Sequence, residues 1–233
     1  MPGRSDAGLV VDRRDDGVVR LWLDRPEKRN ALHRPLVTAL TEQFADRRAR
    51  VFVLGSHSPG AFSGGADLSL DDSERTEVSD LLYALYVTML DSPAPIIATL
   101  DGPAVGGGAQ LALACDIRIG GSRASLRFVG PGHGLAVGAW GLPALVGRGR
   151  AVELCLSMRT VGAEEALAIG LLDRVEPDPF EAALRLAGEI AMLDAAAVAR
   201  VKSVARTASG VLAALEEERT GNRESWSGSV SGL

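Results

Sequence analysis

The sequence predicts an α/β fold, and three observations carry that prediction. Two short apolar runs, Arg50–Gly55 and Pro95–Leu100, have the length and composition of buried strands. Each is followed by a glycine turn, Ser63-Gly64-Gly65 after the first and Gly106-Gly107-Gly108 after the second. An order of two strands and then a helix recurs across residues 8–120, ahead of a C-terminal third of helical composition.

Residues 1–7 are polar and are expected to be disordered. Gly8–Arg13 and Val18–Leu23 read as strands, because Asp16-Gly17 between them is a hairpin signal. Arg34–Arg47 reads as an amphipathic helix with Leu36, Leu40 and Phe44 on one face. After the strand at 50–55, Glu77–Leu90 reads as a helix that stops before Ser92-Pro93-Ala94-Pro95, since a residue preceding proline avoids helical geometry. The strand Pro95–Leu100 is broken by Asp101-Gly102-Pro103, and an Ala/Leu-rich helix starts from the glycine triplet. Asp116–Ile119 and Ser125–Phe128 are short strands. Phe128–Gly134 is too rich in glycine for regular structure and reads as a site-lining loop. Leu142–Val146, Ala151–Ser157 and Ala163–Ile169 are short helices, the last closed by Gly170 at its C′ position. Phe180–Met192 and Ala195–Glu218 complete the helical end.

Composition narrows the classes of function. With 233 residues the chain is one domain, or a domain with an appendage. A net charge of −5 and the lack of a basic cluster interleaved with aromatics argue against nucleic acid as a partner. Cys115 and Cys155 lie in separate apolar helical stretches, which reads as two reduced core thiols and neither a disulfide nor a metal pair. No signal peptide and no membrane-spanning run is found, so a cytoplasmic location is expected.

The chemistry lies in the two glycine turns. At Gly106–Gly108 an outside group can approach the backbone closely, and the first N–H groups of the following helix lack intrahelical partners. A tight turn that packs a helix against a strand is the structural alternative. No Gly-Lys-Ser/Thr follows, which excludes a P-loop, and Leu111 stands where a dinucleotide fingerprint needs its third glycine. Two such turns in one domain suggest two N–H groups converging on one oxygen.

Three segments, Leu23-Asp24-Arg25-Pro26-Glu27-Lys28-Arg29-Asn30-Ala31-Leu32, Phe62-Ser63-Gly64-Gly65-Ala66-Asp67-Leu68 and Gly102-Pro103-Ala104-Val105-Gly106-Gly107-Gly108, resemble the signature segments of the enoyl-CoA hydratase/isomerase (crotonase) superfamily in order and spacing. Gly147–Ala151 and Ala163–Val175 extend the resemblance, which covers roughly residues 8–227. It implies a crotonase-like ββα spiral core over 8–180 that binds acyl-CoA, and a C-terminal helical trimerisation region over 181–233. It also implies oxyanion N–H donors at Ala66 and Gly107, a homotrimer or hexamer, and coenzyme A present as part of the substrate, with no cofactor or metal of the protein's own. The Arg25–Ala31 segment and the Ser63–Leu68 loop are implicated in substrate binding. Lys28 or Arg29 would meet phosphate oxygens, and backbone groups of Ala31, Ala66 and Leu68 would hold adenine and pantetheine. Ser63, Gly64 and Asp67 belong to the same loop, with Asp67 fitted better to capping the turn than to touching substrate. Trp140 reads as a wall of the acyl pocket, with core packing as the alternative.

The sequence departs from the resemblance at both hydratase glutamates, which are replaced by Gln110 and Gly132. An amide cannot take a proton from water near neutral pH and glycine offers no side chain, so hydration by two carboxylates is not expected. His133, in the expected lining loop, is the candidate replacement base, with a solvated loop histidine as the commoner alternative. The C-terminal region is short relative to the superfamily pattern. Two functions remain open: an acyl-CoA-processing protein that stabilises a thioester enolate, and a non-catalytic acyl-CoA-binding protein.

Overall fold

Val51–Ser56 and Ile96–Leu100 are buried almost throughout, the pattern of strands covered on both faces. The computed structural model describes residues 3–225 apart from 5, 58, 59 and 68–71. In chain order the elements are β1 (Gly3–Arg4), β2 (Leu9–Arg13), β3 (Val18–Leu23), α1 (Arg34–Phe44), β4 (Val51–Ser56), α2 (Asp72–Asp91), β5 (Ile96–Leu100), β6 (Pro103–Val105), α3 (Gly107–Leu113), β7 (Ile117–Gly120) and β8 (Ser125–Arg127). They continue with α4 (Leu142–Val146), α5 (Arg148–Ser157), β9 (Val161–Gly162), α6 (Ala163–Ala168), β10 (Arg174–Val175), α7 (Pro179–Ala191), α8 (Ala195–Ser209) and α9 (Val211–Ser225).

The main sheet runs β1-β2-β3-β4-β5-β7-β10; the pairs from β3 to β10 are parallel, while β1-β2 and β2-β3 are antiparallel. A second sheet of β6, β8 and β9 stands beside it. A large core with Leu21, Leu36, Phe52, Leu54, Tyr86 and Leu111 fills one face of the main sheet, and α7 covers the other through Ala182, Ala183 and Ala187 against Val51, Val53 and Ile97. Two buried cations tie the layers together. Arg118 donates to the carbonyls of Cys115 (2.7 Å) and Leu171 (3.1 Å) and pairs with Asp173; Lys202 donates to Met89 O (2.9 Å) and pairs with Asp116 (2.8 Å).

Several expectations change. Gly3–Arg4 pairs with the free edge of β2, so part of the segment expected to be disordered is strand. The break expected over Asp101-Gly102-Pro103 is confined to residues 101–102; Pro103 already opens β6, because its backbone finds a distant partner in Ser125–Arg127. The helix expected over Ala195–Glu218 is two helices, parted at Gly210, whose φ of +65° ends α8 in the left-handed region. Cys115 and Cys155 are free, buried thiols; burial pushes them up to about 12 and about 11, far from a reactive thiolate.

Glycine is demanded where the two turns meet. A Cβ added to Gly108 would stand 2.4 Å from Ser63 O and 2.7 Å from Ser63 Cβ, atoms of the other turn. Gly188, inside α7, has nothing within 4 Å of such an atom. Gly108→Ala should therefore destabilise by about 2 kcal/mol through overpacking, while Gly188→Ala should stabilise by about 0.5–1 kcal/mol. Urea unfolding that moved both midpoints in the same direction would contradict this account of the contact.

Candidate active site

Asn30 organises the first wall of the site. It is fully buried at φ +53°, after Arg29 at φ +50°, and this left-handed pair turns the chain back on itself. Asn30 Nδ2 donates to Ser56 Oγ (2.6 Å), Ala61 O (3.1 Å) and Phe62 O (3.1 Å), and its Oδ1 accepts from Arg25 N–H (2.8 Å). Asn30 O accepts in turn from Ser63 Oγ (2.8 Å). Leu32 N–H donates to Gly65 O (2.7 Å) and Asp67 N–H to Leu32 O (3.0 Å), so Ala66 forms a single parallel bridge with Leu32. Ser63 is bridged to Ala104 in the same way. The three motif segments thus become one backbone-stitched unit.

That stitching uses the N–H groups before and after Ala66 and the one before Gly107, but not those of Ala66 and Gly107 themselves. Gly65 N–H is taken by Ser63 Oγ, Asp67 N–H by Leu32 O and Gly106 N–H by Arg127 O. Among the described residues, neither Ala66 N–H nor Gly107 N–H has a hydrogen-bond acceptor. The two lie side by side: a Cβ built on Gly107 would be 3.5 Å from Ala66 N, and one built on Gly65 would be 3.3 Å from Gly107 N. Both residues are half-buried. Gly65 holds φ +92° with Val105 O only 2.6 Å from the place of a side chain, so neither turn could keep this approach with a larger residue there.

Gln110 and Gly132, the positions read as replacing two glutamates, lie in different surroundings. Gln110, 5% exposed, is one turn beyond Gly107 on α3; its Oε1 accepts from the Trp140 indole N–H (2.6 Å) and from Gly138 N–H (3.3 Å). Gly132 sits in a short 3-10 turn, where its N–H meets Met158 Sδ at 3.2 Å. His133 beside it is exposed. Trp140, read as a wall of the acyl pocket with core packing as the alternative, is 3% exposed and packs in the core, stacked on Tyr86 at 5.9 Å with its indole N–H donating to Gln110 (2.6 Å).

The remaining candidates spread along the outer loops. Lys28 and Arg29 are exposed; Ala31 is buried and its carbonyl accepts from Arg25 at 2.5 Å. Gly64 is exposed, with its N–H on Arg29 O, and Ser63 is sealed. The carboxylate of Asp67 pairs with Arg25 at 3.6 Å. Leu68 lies outside the described residues. His33, which no sequence pattern singled out, stands beside this pair with its Nδ1 buried and unpartnered; burial, followed by the Arg25 charge, holds its pKa below the usual histidine value.

Sequence reasoning also missed Glu218. It is 7% exposed, and its carboxylate accepts from the Tyr83 hydroxyl (2.8 Å) and the N–H groups of Gly138 (3.2 Å) and Trp140 (3.0 Å). Asn222 continues the network to Tyr83 (2.8 Å) and to both backbone groups of Ala136. The signal was present: Val211, Leu215, Glu218 and Asn222 share one helical face, and two polar residues on that face need inward partners.

A sequence profile described as enoyl-CoA hydratase/isomerase matches residues 13–228. The probable enoyl-CoA hydratase echA6 of Mycobacterium tuberculosis is 38% identical over 195 residues, which span 81% of this chain and 79% of that protein. An enoyl-CoA hydratase/isomerase from Mycobacterium paratuberculosis superposes with a TM-score of 0.86 at 26% identity, covering 96% of this chain and 95% of that one. A monofunctional enoyl CoA isomerase from M. smegmatis superposes with a TM-score of 0.75 at 31% identity, covering 92% of this chain and 98% of that one.

Burial raises the Glu218 carboxyl above the ordinary glutamate value of 4.5, against the opposing pull of Tyr83 and the backbone N–H groups it accepts from. A carboxyl of this kind holds its proton more tightly in the folded state than in the unfolded one. Its contribution to stability is therefore full below pH 4.5 and is lost as pH rises through the raised value, by about 1.4 kcal/mol per unit of the rise. Glu218→Gln should abolish that slope. A stability difference between native chain and variant that stays constant across this pH range would refute the assignment.

Proposed function

The chain belongs to the enoyl-CoA hydratase/isomerase family, and on that premise we propose that it binds an acyl-CoA thioester and stabilises the enolate of that thioester with the N–H groups of Ala66 and Gly107. The observation that carries this reading is the adjacency of two acceptor-free amides, with a Gly107 Cβ position 3.5 Å from Ala66 N. Two N–H donors aimed at one oxygen favour the state in which that oxygen bears negative charge, and losing one such donor typically raises a barrier by ~3 kcal/mol. The α3 helix has only seven residues, so its dipole is not invoked; the N–H groups themselves suffice. Coenzyme A would lie along the outer loops, with exposed Lys28 or Arg29 on phosphate oxygens and backbone groups of Ala31, Ala66 and Leu68 on adenine and pantetheine. The exposed apolar residues Val201 and Val204 of α8 and Met192 and Leu193 before it suit a homotrimeric or hexameric assembly.

A second reading is favoured by Gln110 and Gly132. The Gln110 oxygen already accepts from two donors and Gly132 has no side chain, so neither position can shuttle a proton to or from water. His133 is the one titratable group left in that loop. In this second reading the same pair of amides clamps the thioester without hydrating it.

Crotonyl-CoA discriminates between these outcomes. The native chain should bind it about tenfold more tightly than the S-alkyl thioether analogue, which lacks the carbonyl, the difference expected for one hydrogen-bonded oxygen. Hydration should be undetectable in the native chain and should appear, if at all, only with Gln110→Glu. Rapid hydration by the native chain would overturn the reading of the absent carboxylates, and equal affinity for thioester and thioether would overturn the oxyanion pair.

A further inference from the structure

The Trp140 indole N–H and the Gly138 N–H can only donate, so the atom of Gln110 facing them at 2.6 and 3.3 Å is its oxygen. That fixes the other end of the amide. Gln110 Nε2 has no acceptor among the described residues, in a side chain 95% buried, and it is not sealed from solvent. The orientation is held from behind. Trp140 is anchored through its own N–H on Glu218 (3.0 Å) and by stacking on Tyr86, whose hydroxyl donates to Gly107 O (2.9 Å). A donor with two free hydrogens is therefore presented one helical turn beyond the Gly107 N–H, on the same face of α3.

We propose that Gln110 is a specificity-determining residue whose Nε2 donates to an oxygen on the third acyl carbon, so that the site selects 3-oxoacyl-CoA thioesters over acyl and 2-enoyl thioesters. The inference rests on the reading that Ala66 and Gly107 hold the thioester oxygen. With that oxygen at the turn, the second and third carbons of the acyl chain pass the first turn of α3, within reach of the Gln110 amide. A saturated or 2-enoyl chain offers no acceptor there and leaves a buried donor unpaired. A 3-oxo chain supplies one, and its delocalised enolate carries charge on both oxygens, each then facing N–H groups. The replacement of a carboxylate by an amide thus turns a proton-accepting position into a recognition position.

Calorimetric titration of the full chain with free coenzyme A, butyryl-CoA, 3-oxobutyryl-CoA and 3-hydroxybutyryl-CoA tests this. The native chain should bind 3-oxobutyryl-CoA at least tenfold more tightly than butyryl-CoA. Gln110→Met should make the two equal, and Gln110→Glu, which presents acceptors only, should prefer the 3-hydroxy thioester, whose hydroxyl can donate. Equal native affinity for butyryl- and 3-oxobutyryl-CoA, with both tighter than free coenzyme A, would overturn the role of Gln110 alone. No thioester binding above that of free coenzyme A would overturn both this inference and the oxyanion reading beneath it. Gln110→Met that kept the 3-oxo preference would likewise assign the selection elsewhere.

Discussion

The structure depends on one close approach, the contact of two turns across positions that have no side chains. Gly108 lies against Ser63, and Gly65 lies against Val105 O and Gly107 N. Everything that distinguishes the site follows from this distance. If the turns stood one methyl group farther apart, Ala66 N–H and Gly107 N–H would face different atoms, and each would need its own partner to avoid an unpaired polar group. Held together, both stand without an acceptor among the described residues. The strands β4 and β5 deliver the two turns side by side because they are parallel neighbours in one sheet, in register from Phe52 with Ile96 to Leu54 with Ala98. Asn30, buried between Ser56, Ala61, Phe62 and Ser63, fixes the first turn to the sheet by hydrogen bonds where apolar packing could not have specified a direction.

A second layer reaches the site from the far end of the chain. Glu218 and Asn222 on α9 satisfy backbone groups of residues 136–140, and through Trp140 they set the orientation of Gln110 on α3. Four donors, the Tyr83 hydroxyl and the N–H groups of Gly138, Ala139 and Trp140, surround the Glu218 carboxyl and oppose the upward pull of burial on its pKa. Tyr83 and Tyr86 close the same network from α2; burial and the nearby Glu218 charge both push their phenols up, so they act as neutral donors. The C-terminal helix is in this way part of the site's electrostatics, whatever it contributes to assembly.

The spiral of strands and helices could be read in the sequence because its signals are local: buried runs at β4 and β5, the Asp16-Gly17 hairpin between β2 and β3, and Pro93 and Pro95 after α2. The two turns were equally legible, since the Gly64-Gly65 pair and the Gly106–Gly108 triplet each follow a buried apolar run. What escaped was decided by distant partners. Asp101-Gly102-Pro103 reads as a breaker throughout until Ser125–Arg127 arrives to pair from Pro103 onward, and Trp140 stands between two readings until Tyr86 and Gln110 are placed around it. Gly210 was hidden by apolar helical stretches on both sides, where only its left-handed φ separates α8 from α9. Glu218 was overlooked for a different reason: in a stretch with three consecutive glutamates, an acidic residue looks like solvated surface unless its phase relative to Leu215 is followed.

The exchange of carboxylate for amide is coherent with its surroundings. A carboxylate at position 110 would accept from Trp140 and Gly138 with one oxygen and leave a second acceptor free; the amide leaves a donor there instead. At position 132 a Cβ would meet Met158 Sδ at 3.3 Å, so a side chain there would require the methionine to give way. N–H donors at Ala66, Gly107 and Gln110 thus stand without an acceptor among the described residues, an arrangement that suits binding of an electron-rich oxygen better than transfer of a proton.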